Sequence, residues 1–113
     1  MISINKLKEF GCNVNDGLER CLNDESFYLD LVKSLIKDTQ MEKLKEELMQ
    51  NNLEEAFKIS HSLKGVYGNL AITPIYEKLK ELTDYLRFKK EIDYNLLIDE
   101  LINLNNEFKK LNE

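Results

Sequence analysis

Residues 93–111, DYNLLIDELINLNNEFKKL, decide the fold. Tyr94, Leu97, Leu101, Leu104, Phe108 and Leu111 recur at alternating three- and four-residue spacing, the mark of a helix packed along one side. This final helix starts near Asp93. Reading back toward the N-terminus, Thr73-Pro74 marks an earlier helix start. Thr stands at the cap and Pro at the first helical position, where its missing N–H costs nothing. Ile75, Leu79, Leu82 and Leu86 then share one face. A third helix opens at Asn52, with Glu55 three residues on, and runs to about Leu70. Residues 24–49 are the longest helical run. Their apolar positions Phe27, Leu31 and Leu35, then Met41, Leu44 and Leu48, change phase near Asp38. Thr39 with Glu42 has the spacing to cap a fresh start there, so one long helix and two collinear pieces both fit. Two short amphipathic helices precede it. One covers Ser3 to Phe10 and is stopped by Gly11. The other covers Asn15 to Leu22, where Asp16 and Glu19 have capping-box spacing. Amphipathic helices joined by a few residues become antiparallel neighbours. The expected fold is all-α: an up-and-down antiparallel four-helix bundle over residues 24–113, with short N-terminal helices over residues 1–23, all one domain.

Composition narrows the function. A chain of 113 residues buries roughly two-thirds of its extended surface, enough for a core without staples. With 42% hydrophobic and 33% charged residues it is not a disordered chain. Four Gly and one Pro are too few for a loop-rich sandwich or barrel. No apolar run approaches the roughly 20 residues of a membrane span. The opening MISINKLKEF has no signal-peptide core, so a cytoplasmic location is expected. The net charge of −5 argues against nucleic acid or anionic lipid as the main partner. Cys12 and Cys21 make neither a disulfide framework nor a metal quartet, and read as free, partly buried thiols. A single histidine excludes a His-rich zinc site. No carboxylate cluster accompanies that histidine, and no Gly-rich nucleotide loop is present, so neither a metal nor ATP is expected to bind. No surplus apolar face calls for a dimer; a monomer is expected.

Chemistry has one place to sit. His61 lies mid-helix in Ser60-His61-Ser62-Leu63-Lys64-Gly65. The core face of that helix reads as Leu53, Ala56, Phe57, Ser60, Leu63, Tyr67 and Leu70, which leaves His61 on the flank toward solvent. The plain alternative is a surface histidine with no role. Its neighbours argue otherwise. Gly65 lies one turn after His61 and Gly68 about two turns after it, on one stripe. A glycine inside a helix costs about 0.5–1 kcal/mol against alanine. Either another helix packs closely on this stripe, or the bare backbone leaves the imidazole clear for a second protein. The stripe also holds Glu54 and Lys58, which favours the second account. Lys64, one turn from His61, reads as a counter-charge for an anion carried on the ring. Imidazole is a competent nucleophile toward phosphorus, and phosphoryl transfer needs positioning and charge neutralisation above all.

These residues resemble a known family. His61-Ser62-Leu63-Lys64-Gly65 is similar to the His-x-x-Lys-Gly signature of histidine-containing phosphotransfer (HPt) domains of two-component phosphorelays. Residues 11–20, GCNVNDGLER, are similar to the lead-in of small bacterial members. Residues 24–31, DESFYLDL, resemble the start of their first long helix. Residues 65–76, GVYGNLAITPIY, resemble the stretch after the phosphorylated histidine. Ala71 stands where many members have Gly, and Tyr67 replaces a small residue. The resemblance implies that His61 accepts the phosphoryl group, that Lys64 contacts its oxygens, and that Gly65 permits close docking. The implied partner is a receiver domain of a response regulator or hybrid histidine kinase. The chain would then be a phosphocarrier rather than an enzyme. Lys58, Ser62, Gly68 and Asn69 are expected at the docking surface. Two rivals stand beside this reading. One is a bundle that docks a partner without chemistry. The other is a metal enzyme, which needs paired Glu and Glu-x-x-His ligands; here Lys58 stands three residues before His61 and Lys64 three after.

Overall fold

A computed structural model describes all 113 residues. Seven helices follow one another: α1 (Ile4–Phe10), α2 (Val14–Arg20), α3 (Glu25–Ile36), α4 (Gln40–Met49), α5 (Leu53–Asn69), α6 (Thr73–Arg87) and α7 (Tyr94–Lys110). Helices α4 to α7 form the antiparallel bundle: α5 lies between α4 and α6, and α7 closes the ring against both. The body measures 41 × 25 × 19 Å. No helix is long and apolar enough to cross a membrane.

The phase change near Asp38 is a true break, so the long run is two helices. The cap is supplied by Asp38, whose carboxylate accepts from the Gln40 N–H at 2.7 Å. Thr39 makes no capping bond. Its φ of −108° and ψ of 6° depart from the extended backbone that aims a capping oxygen at the first turn. Two other starts are also shifted from expectation. Asn13 caps α2 by accepting from the Asp16 N–H, and Asp16 instead pairs with Arg20 at 3.2 Å. Thr73 is the first residue of α6 rather than its cap. Its hydroxyl accepts from the Asn13 N–H and donates to the Ala71 carbonyl, tying the α1–α2 joint to the α5–α6 turn. Asp93 caps α7 as read.

Helices α1 to α3 cover the end of the bundle at that turn. The Asn13 N–H also donates to the Ala71 carbonyl, Phe10 packs on Phe108 of α7, and the Tyr28 hydroxyl donates to the Leu70 carbonyl at 2.8 Å. Tyr28 is buried where Phe27 was expected, and Phe27 stands 49% exposed. The buried row of α3 is Tyr28, Val32 and Leu35, one residue out of phase with the expected start. In α7, Tyr94, Leu101 and Phe108 are buried as read. Ile98 and Asn105 complete that face, while Leu97, Leu104 and Leu111 lie at its edge.

Three contacts set the α5–α6 register. Gly68 faces Tyr76, Ser60 bonds to Thr83, and Phe57 meets Arg87. The Ser60–Thr83 hydroxyl pair, at 2.6 Å, is fully buried. Tyr67, placed on the core side by its spacing, is buried and donates to Asn105 Oδ1 at 2.9 Å. Burial pushes the Tyr67 phenol above its ordinary range, which keeps it a neutral donor.

Candidate functional site

Helix α5 is packed between α4 and α6. Ala56, Ile59, Ser60, Leu63 and Tyr67 face the core. Ile59 joins this face, whereas Leu53 and Phe57 lie at its margin, partly buried. The opposite side is a solvent ridge of His61, Ser62, Gly65, Val66 and Asn69, all exposed. The single histidine of the chain therefore stands on the outside of a helix whose inner face is locked.

The two glycines near it do different work. A Cβ built on Gly65 meets nothing within 4 Å, so the space above that turn is open. A Cβ on Gly68 lies 2.9 Å from Cε1 of Tyr76, so Gly68 is bare because α6 packs there. Of the two accounts weighed for the stripe, close helix packing holds at Gly68 and clear space holds at Gly65.

Lys64 is half-buried, and Lys58 is exposed. Lys64 and Gly65 border a groove of about 400 Å³ shared with α2 and α6. Arg20 forms part of its wall, bonded to Asp16 and, at 3.3 Å, to Asn69 Oδ1. Asn69 thus lies on the ridge with its carbonyl oxygen already engaged. The groove is polar, with Asn13, Thr73, Tyr76 and Glu77 also on its walls. Sequence reading missed Arg20 and Tyr76, which reach the ridge only through the packing of α2 and α6. It also missed that Phe57 stacks on His61, with ring planes 9° apart. The four-residue spacing of that pair was the available signal.

No group of three His, Cys, Asp or Glu side chains is placed to hold a metal ion. Cys12 and Cys21 are free and buried, and burial pushes the Cys12 thiol up to about 12. They are remote in role from the ridge and serve the core.

What this arrangement offers is an accessible nucleophile on a rigid helix, open backbone one turn away, and an ammonium group within the same two turns. It has no enclosed substrate cavity at the ring. Neither a curated protein nor a solved structure matches the chain. The Hpt domain family does match, over residues 37–111, which takes in α4 to α7 and the whole histidine ridge. The chain belongs to the Hpt domain family, whose helical bundles serve histidine phosphotransfer in phosphorelays and act with receiver domains as carriers rather than enzymes.

Proposed function

We propose that His61 carries a phosphoryl group between receiver domains of a two-component phosphorelay. The observation that carries this reading is the exposed His61 imidazole beside the open space at Gly65, on an otherwise well-packed helix. A neutral ring nitrogen attacks the phosphorus of a receiver's aspartyl phosphate. The P–N bond forms as the P–O bond to the aspartyl carboxylate breaks, and the carboxylate leaves with the electron pair. The ring gives up its other N–H proton to solvent or to the partner. The reverse sequence passes the group to the next receiver. Lys64 supplies positive charge to the phosphoryl oxygens, Gly65 admits the partner's surface, and Lys58, Ser62, Gly68 and Asn69 border the docking area.

The receiver brings the rest of the chemistry, so this chain needs no cofactor or metal of its own. We take residues 1–113 to act as one unit and as a monomer in the cytoplasm. The core runs from Ile2 to Phe108 without interruption, and α2 borders the groove at Lys64, which supports the single unit. The charge of −5 favours a protein partner over nucleic acid.

The test is transfer from a phosphorylated receiver to the wild-type chain and to His61→Gln. Wild type takes up acid-labile, base-stable phosphate, and His61→Gln takes up none while melting at the same temperature. Equal labelling of both proteins would overturn the assignment.

A further inference from the structure

The orientation of the His61 ring has a visible cause. Phe57 lies one turn earlier on α5, and the two rings stack with centroids 5.7 Å apart and planes 9° apart. This is the offset arrangement that aromatic rings prefer. Phe57 is in turn capped from α6: the Arg87 guanidinium carbon sits 5.6 Å from its ring centroid, within cation–π range. Phe57 is half-buried beside Leu53 and Leu86 in a cleft rimmed by Arg87 and Lys89, so it is anchored while His61 is exposed. The turn after His61 contributes Gly65, which has no side chain to bear on the ring. An imidazole on an open helix face otherwise exchanges among staggered χ1 wells and turns broadly about χ2.

We propose that Phe57 is a positioning residue for His61 and that Arg87 holds Phe57 in place. Together they present the imidazole in one orientation to an incoming partner. The idea rests on the phosphotransfer reading and adds a requirement to it. The attacking nitrogen must meet phosphorus in line with the departing oxygen, and a ring that samples several orientations meets that condition less often. Phenylalanine suits the task. It offers a flat apolar face and no hydrogen-bonding group to occupy a ring nitrogen.

The test compares Phe57→Leu, Phe57→Tyr and Arg87→Gln with wild type. It reads the initial transfer rate from a phosphorylated receiver together with the NMR shifts of the His61 ring protons. Phe57→Leu keeps most of the volume but removes the stacking face. Its rate falls about three- to tenfold, the scale of one aromatic pair, and its ring-proton shifts lose the ring-current displacement. Phe57→Tyr retains both. Arg87→Gln, an exposed change that leaves the core intact, shifts both readouts part of the way toward Phe57→Leu. The proposal is overturned if Phe57→Leu transfers at the wild-type rate, or if Phe57→Tyr restores neither readout. A wild-type chain that takes no phosphate sinks the phosphotransfer reading instead. The ring-proton shifts then decide by themselves whether Phe57 orders the imidazole.

Discussion

Ser60, the residue just before His61, is fully buried and bonded to Thr83 of α6. A buried hydroxyl left without its partner bears the full cost of desolvation. Thr83→Val keeps the shape and strands Ser60, so it should cost about 1–2 kcal/mol, read from urea unfolding. Thr83→Ser should cost less because it keeps the bond. Equal stability of Thr83→Val and wild type would show that Ser60 finds another hydrogen-bond partner. At this scale the sequence was most legible where one residue type is rare. A lone histidine with Lys64 and Gly65 on adjoining turns could be placed on an exposed face by angular counting alone. The Phe57 stack could not be weighed that way, because Phe57 also fits the apolar face. Arg87 was out of reach, because it meets Phe57 only through the antiparallel pairing of α5 with α6.

At the scale of the element, three helix ends share one backbone device. Helices α4, α5 and α6 stop in the same way, with a left-handed residue just past the end: Asn51, Ala71 and Lys89, at φ of 58°, 58° and 52°. In each, the N–H of the next residue reaches back to the last turn, Asn52 to Glu47, Ile72 to Tyr67 and Lys90 to Tyr85. Only Asn51 belongs to a residue type that tolerates this conformation well. Ala71, the position where the resemblance leads one to expect Gly in many members, is just such a residue, and the turn's hydrogen bonds are intact with Ala there. Lys89 is exposed, and Lys89→Gly should relieve its backbone at little other cost. A gain of about 0.5–1 kcal/mol is expected, a rise of a few degrees in Tm by calorimetry. An unchanged or lower Tm would deny the strain.

The two helical glycines give a sharper contrast. Gly65→Ala has free space and should stabilise the helix by about 0.5–1 kcal/mol while slowing transfer from a receiver. Gly68→Ala must displace the Tyr76 ring and should lose that helix gain. Tm and transfer rate on both variants check this. If both raise Tm alike, the assignment of Gly68 to packing is wrong.

Over the whole molecule, the bundle itself was readable because four amphipathic patterns with short joints admit few other packings. The way α1 to α3 cover one end was not, since it depends on single bonds such as Asn13 to Thr73. The acidic balance of the chain bears on encounter with an acidic receiver site, where local positive charge must offset like-charge repulsion. Lys58→Glu or Lys64→Glu should slow transfer at low ionic strength, with the Lys58→Glu deficit shrinking as salt rises. Rates independent of both charge and salt would remove steering from the account. The core sets a pH response. Burial holds the Cys12 thiol protonated to about 12, whereas its ordinary value, taken for the unfolded chain, is 9.0. Its share of stability is complete below about pH 9 and is lost as pH rises toward the folded value, by up to about 1.4 kcal/mol per unit. Urea unfolding at pH 8 and pH 10.5 should show a smaller alkaline loss for Cys12→Ala than for wild type; parallel losses would deny that Cys12 ionises on unfolding.

The most direct measurement is to incubate the intact chain with a phosphorylated receiver domain and locate the transferred phosphate by peptide mapping under alkaline conditions. The account predicts a single phosphoramidate on His61 that returns to a fresh receiver on mixing. Phosphate on any other residue, or none on the chain at all, would contradict it.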